Sequence, residues 1–194
     1  MAGNDKKGGG MGRLMGQYVD KTLSWEDIPW IQETSGLPIV VKGIQCATDA
    51  KKAVSYGVKG IMLSNHGGRS LDTSQPVILT LLELHRICPD VFDKVEVYLD
   101  GGITRGSDIL KALCLGATAV GIGRPYLYSL CYGQEGVEHL SEILKDELET
   151  SMRLAGITDV DQAHPGLVNT CGVDHLVPSV EDHPWIRWRP KAKM

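Results

Sequence analysis

Short apolar runs alternate with amphipathic stretches along most of this chain, and that alternation predicts a repeating βα pattern. Residues 37–41 (L-P-I-V-V) are wholly apolar with three β-branched side chains, the composition of a parallel strand buried on both faces. Lys42 closes that run. Residues 48–56 read as a helix capped by Thr48, Gly57 supplies its left-handed end, and residues 60–63 form the next strand, closed by Ser64. A helix over about 77–88, a strand over 95–99 ending at Asp100, a helix over 107–115 and a strand over 119–122 ending at Gly123 make four βα-type units. G-V-K-G-I from Gly57 and G-A-T-A-V from Gly116 echo one another as a helix-ending glycine that leads into a strand.

On either side the pattern changes. Ser24 followed by Trp25, Glu26 and Asp27 is an N-cap with acids in the first turn, and Pro29 lies early enough to be tolerated in a helix that runs to about residue 34, where Gly36 ends it. After Gly133 a long amphipathic helix reaches about residue 154; Val137, Leu140, Leu144, Leu148 and Met152 share one face and are assigned to the core. Residues 1–17, polar and rich in Gly and Lys, read as a flexible leader, and residues 158–194, rich in Pro, His and Trp, as an irregular surface tail. The structured domain is expected over 18–157.

Composition narrows the function classes. With 194 residues, 42% hydrophobic and 23% charged, the chain matches an ordinary soluble protein with a real core, and 23 glycines against one Phe suit α/β architecture. A net charge of -4 with scattered basic residues gives no electrostatic reason to bind nucleic acid or an anionic membrane. Five cysteines without a C-x-x-C pair read as reduced, mostly packed thiols, and no metal site is expected. Neither a signal peptide nor an apolar run of about 18 residues is found, so an intracellular location is expected. The last residues, Ala192, Lys193 and Met194, fit the small-basic-Leu/Met pattern of a peroxisomal address as well as a merely polar tail, leaving cytoplasm and peroxisome open.

The candidate chemistry is positional. Lys42, Ser64 with Asn65 and His66, Asp100 with two glycines, and Gly123 with Arg124 all fall just past successive strands; in a (β/α) barrel those ends share one face, where loops build the active site. In S-N-H-G-G-R-S-L-D (64–72), His66 can act as a base near neutral pH and Arg69 can clamp a carboxylate through two parallel hydrogen bonds. A glycine turn with two surface polar residues is the bland alternative. D-G-G-I-T-R-G (100–106), at the start of a helix, is a natural anion cradle, and Gly123-Arg124-Pro125 would complete a phosphate site with Arg105 and Arg124 as its cations. Lys42 would point its ammonium into the same mouth.

Together, V-K-G (41–43), S-N-H-G-G-R-S-L-D, D-G-G (100–102) and G-R-P (123–125) resemble the FMN-dependent 2-hydroxy acid dehydrogenase and oxidase family, from about residue 18 to 154. The resemblance implies a (β/α)8 TIM barrel of which this chain supplies the last four βα units and a C-terminal helix. It also implies FMN as cofactor and a small L-2-hydroxy acid, such as lactate or glycolate, oxidised to the keto acid. On it, Lys42 would stabilise the anionic reduced flavin and Ser64 would hydrogen-bond the ring. His66 would accept the substrate's proton, Arg69 would bind its carboxylate, and Asp100, Gly101, Gly102, Gly123 and Arg124 would hold ribityl and phosphate.

Thr104 stands where the family's D-G-G-V-R-R-G places its first phosphate-binding arginine. The family's earlier half, with four strands, two active-site tyrosines and further flavin contacts, does not precede residue 18, so a truncated form is expected. Four strands would leave two unpaired edges and an exposed apolar inner face. The alternatives are a non-catalytic half-barrel that binds phosphate or pairs with another chain, its own copy included, and a phosphate-binding barrel enzyme without flavin. The particular acid and the electron acceptor stay open.

Overall fold

The computed structural model describes residues 20–177; the expected leader, the tail beyond Val177 and the Ala192-Lys193-Met194 ending lie outside them. The chain divides into two compact units, one up to Leu37 and one from Pro38 onward. In the first, Ser24 opens a 3-10 turn, Trp25–Asp27, that runs into α1, Ile28–Ser35. The Asp27 carboxylate accepts the Ser24 N–H at 2.7 Å. Gly36 stops the helix at φ 63, in the left-handed region that a residue without Cβ enters freely.

Among its described residues the second unit holds four strands, β1 Val40–Ile44, β2 Gly60–Leu63, β3 Glu96–Asp100 and β4 Ala119–Gly121, in the order β1-β2-β3-β4 with every neighbouring pair parallel. Helices α2 Ala47–Ser55, α3 Val77–Ile87 and α4 Gly106–Cys114 make the crossovers, followed by α5 Arg124–Ser129 and α6 Gly133–Ala155. Sequential parallel strands with a helix between each pair are one stretch of (β/α)-barrel wall.

Register separates the two faces of the sheet. Ile61, Leu63, Val97 and Leu99 are fully buried, whereas Met62 and Tyr98, paired across the opposite face, are only half-buried. Lys42 pairs with Met62, and Asp100 with Gly121, on that same opposite face. The expected strands buried on both faces, and the expected apolar inner face, are thereby corrected: the inner face mixes Met62 and Tyr98 with Lys42, Glu96 and Asp100, and the Tyr98 hydroxyl bonds the Glu96 carboxylate.

β1 is also displaced from the expected 37–41. Pro38 has no amide hydrogen for the ladder, so regular pairing begins after it. The strand then continues through Lys42 to Ile44, with Gly43 at φ 103 and a register shift between Lys42 and Ile44. Lys42 therefore lies within the strand, not past its end. Val40 is 47% exposed, because among the described residues β1 has a neighbour on one side only.

The N-cap of α2 is Cys46, not Thr48; the first amide, Ala47 N–H, is satisfied by the Glu83 carboxylate at 2.9 Å, so no hydroxyl cap is needed. Gly57 takes the expected left-handed conformation at φ 73. On α6, Leu144 and Met152 are buried and Val137, Leu140 and Leu148 half-buried, which matches the expected face. Met152 meets Leu110, Cys114 and Ile157, and Ala163, Leu167 and Val168 pack against that cluster. Between Thr158 and Val177 the chain forms three short 3-10 turns, and Arg86 pairs with Asp174 at 2.7 Å. All five cysteines are free thiols; burial pushes Cys88 up to about 11 and Cys46 and Cys114 upward, while Cys131 and Cys171 are exposed. No described helix is long and apolar enough to cross a membrane.

Candidate functional site

Three strands deliver one polar cluster. Lys42 Nζ from β1 donates to Asp100 Oδ2, at the end of β3, at 2.6 Å, and to Ser64 Oγ, just past β2, also at 2.6 Å. The second oxygen of Asp100 is buried and has no partner among the described residues. Ser64 Oγ accepts the His66 N–H at 3.1 Å, tying the start of the next loop to the cluster.

That loop is a left-handed turn. His66, Gly67 and Gly68 take φ values of 57, 66 and 76 in succession, and for His66 this is an uncommon backbone state that needs support from its surroundings. Asn65 supplies it: its Oδ1 accepts the Gly68 N–H at 3.0 Å and its Nδ2 donates to the Gln75 carbonyl at 3.2 Å. Arg124, at the start of α5, braces the far side by donating to Gly67 O at 2.9 Å. A Cβ at Gly67 would lie 2.9 Å from the mobile end of that arginine, and the φ of 66 is what favours glycine there.

A cavity of about 570 Å3 opens against this turn, and its lining includes His66, Arg69, Asp100, Gly102, Thr104, Gly123 and Arg124. Gly101 completes the wall; a Cβ there would sit 3.1 Å from Asn65 Oδ1. Lys42 and Ser64 stand behind Asp100 and are not in the cavity lining. The structure thus gathers His66, Arg69, Asp100, the glycines, Thr104 and Arg124 around one space, with Lys42 and Ser64 bonded to its edge.

Arg105 does not join them. Its guanidinium turns to α6, with Nε to Glu147 Oε2 at 3.0 Å and an ion pair to Oε1 at 2.7 Å. The helix N-terminus expected to cradle an anion is likewise taken: Asp108 accepts the Thr104 and Arg105 N–H groups at 3.2 and 3.1 Å, and Glu147 accepts the Gly106 N–H at 2.8 Å. Arg105 and that amide end hold Glu147 below the ordinary carboxylate range. An anion in the cavity would therefore meet Arg124 and the glycine backbones instead.

Sequence reading did not find α5, which brings Leu127 and Tyr128 into the cavity wall; Pro125 in its first turn, after Gly123, is the signal that could have marked it. Nor did it give Asn65 its bracing role, because Gly68 and Gln75 meet it only once the turn is folded.

The residues fit a phosphate-bearing flavin on their own geometry. A Cβ at Gly102 or Gly123 would meet nothing within 4 Å, so both backbones face open space. Arg124 is cationic, and the unpartnered Asp100 oxygen suits a hydroxyl-rich linker. Parallel βα units with such a cavity beside the strand C-termini are the arrangement of a (β/α)-barrel wall, the fold whose loops at that end build the functional site.

A family model for the FMN-dependent dehydrogenases matches residues 2–170. The chain is 47% identical over 169 residues to an L-lactate dehydrogenase (cytochrome) of Saccharomyces cerevisiae, covering 86% of this chain and 29% of that protein. To 2-hydroxyacid oxidase 1 of Mus musculus it is 47% identical over 159 residues, covering 81% and 42%. A flavocytochrome b2 variant with pyruvate bound superposes at a TM-score of 0.79 and 45% identity, over 88% of this chain and 44% of that one. The chain belongs to the FMN-dependent dehydrogenase family, and it spans less than half the length of these relatives.

Proposed function

We propose that this chain supplies the substrate-side base, the carboxylate clamp and much of the flavin wall of an FMN-dependent enzyme that oxidises a small L-2-hydroxy acid to its 2-keto acid. The observation that carries this reading is the meeting of side chains from three successive strands, Lys42 within β1, Ser64 just past β2 and Asp100 at the end of β3, beside a cavity whose lining includes Asp100, His66 and Arg69.

Arg69 binds the substrate carboxylate through its planar fork, which fixes the hydroxyl-bearing carbon relative to the cavity. His66, on its braced turn, takes a proton from the substrate as that carbon becomes a ketone. Bound FMN supplies the acceptor for the two electrons released. Lys42, bonded to Asp100 at the cavity's edge, would supply positive charge toward the flavin, and Ser64 would offer it a hydrogen bond. Asp100, Gly101, Gly102, Thr104, Gly123 and Arg124 hold ribityl and phosphate, Thr104 offering a hydroxyl where a cation would bind more strongly.

The direct test of the wall is a titration of FMN followed by quenching of flavin fluorescence, in wild type and in D100A. Saturable quenching that weakens in D100A supports the reading; equal binding in both contradicts it.

A second reading has its own support. Thr104 lacks the charge of the family's arginine and Arg105 is engaged by Glu147, so of the two cations expected at the phosphate end only Arg124 lines the cavity. A non-catalytic half-barrel that keeps anion binding, or that pairs its open β1 edge with another chain, would show FMN or phosphate binding without substrate oxidation. Residues Ala192, Lys193 and Met194 fit a peroxisomal address or a polar tail, and a fluorescent fusion with and without them separates peroxisome from cytoplasm.

A further inference from the structure

Behind the His66–Arg69 turn lies a buried polar chain that no flavin or substrate role uses. Glu83, midway along α3, is 2% exposed. One of its oxygens accepts the Ala47 N–H at 2.9 Å and the other accepts Gln75 Nε2–H at 3.1 Å. Gln75 Nε2 also donates to Thr80 Oγ1 at 3.0 Å. The Gln75 carbonyl then receives Asn65 Nδ2 at 3.2 Å, and Asn65 Oδ1 receives the Gly68 N–H at 3.0 Å. The relay runs from the helix layer to an amide that lies between the two residues assigned to the substrate.

A carboxylate is a costly group to bury for packing alone, since a leucine of similar size fills space without desolvating charge. Here both oxygens have amide donors, and one lies at the N-terminus of α2, where negative charge is favoured. What the arrangement adds is definition. Gly67 and Gly68 impose little backbone preference of their own, and His66 sits in a state it does not prefer, so the turn takes its shape from what holds it.

We propose that Glu83 and Gln75 are positioning residues: they clamp the His66–Arg69 turn through Asn65, so that imidazole and guanidinium meet a 2-hydroxy acid in one fixed geometry. The catalytic consequence rests on the substrate-site reading above; the clamp itself is a property of this chain without any ligand.

Hydrogen exchange by mass spectrometry on the full chain tests it, comparing wild type with Q75A, E83Q, Q75E and the double variant E83Q/Q75E. E83Q leaves one acceptor oxygen for two N–H donors, and Q75E sets two carboxylates face to face. The double variant restores one carboxylate opposite one carboxamide with their order reversed. Peptides spanning 64–73 are expected to exchange about tenfold faster in Q75A and E83Q, with β2 and β3 unchanged, because local opening is separable from global unfolding. The double variant recovers most of the protection that each single variant loses. In flavin-loaded protein the same variants raise KM for L-lactate more than they lower kcat. Uniform acceleration across the sheet in Q75A as well as E83Q would make the network merely structural and overturn the proposal. Unchanged exchange over 64–73 in Q75A, or a double variant as loose as the singles, would overturn it too. Wild type that fails to take up FMN would count against the proposed function alone, since the exchange pattern is read without flavin.

Discussion

At the residue scale, the Lys42–Asp100 pair is more informative about chemistry than about stability. Its side chains are 49% and 24% exposed, and ion pairs so placed contribute about 1 kcal/mol or less. K42M is therefore expected to leave the thermal midpoint nearly unchanged while FMN affinity falls by about tenfold or more, the loss of one charge-assisted contact; parallel melting curves and flavin titrations check this. For the substrate residues, H66Q should lower the rate of flavin reduction by about 10²–10⁴-fold with little change in KM, as removal of a general base does. R69K should instead raise KM by about tenfold, because an ammonium cannot make the two parallel bonds of a guanidinium. Stopped-flow absorbance on the flavin-loaded protein separates the two. Most of these residues were legible in the sequence because each follows an apolar run that only a buried strand explains. Arg105 was not: its direction is set by Glu147, 42 residues later, and nothing local in D-G-G-I-T-R-G encodes that partner.

At the scale of elements, the βα repeat was legible because its strands are short and two of its three crossover helices lead into a glycine, Gly57 and Gly116. Boundaries were less so. β1 starts after Pro38 and includes Lys42, since a bonded ammonium on the inner face lets a charged residue stay in the ladder. The α4–α6 contact shows what hydropathy does not carry: a Cβ at Gly106 would run into the backbone of Glu147 and Leu148. G106A is expected to cost about 3 kcal/mol, the upper range for overpacking, read as a fall in denaturation midpoint. Glu147 adds a pH signature. Its carboxyl is held below its ordinary value of 4.5 by Arg105 and the Gly106 N–H, so the folded state binds its proton less readily than the unfolded chain does. The stabilisation is fully present above that ordinary value and is lost as pH falls through the lowered one. E147Q should thus be less stable than wild type near neutral pH, with the difference shrinking as the solution is acidified; melting curves across that range check it.

At the scale of the whole molecule, the sheet's organisation, not its composition, points beyond the four strands. Strand order is sequential, Val40 is exposed on β1, and the inner face carries both apolar and charged groups. In a closed (β/α)8 barrel a wall of this kind is continued by strands on both of its edges. The mixed inner face was hidden from sequence reading because period-two alternation is hard to see in strands as short as β2 and β3, whose other face is buried. The central claim, that these residues belong to a site for oxidising 2-hydroxy acids with FMN, is met most directly by a visible spectrum of the chain with FMN, before and after anaerobic addition of L-lactate or glycolate. The account predicts a bound flavin band that bleaches with either acid and persists in H66Q. Flavin that binds and stays oxidised with both acids in the wild type, in a preparation that is folded, would contradict it.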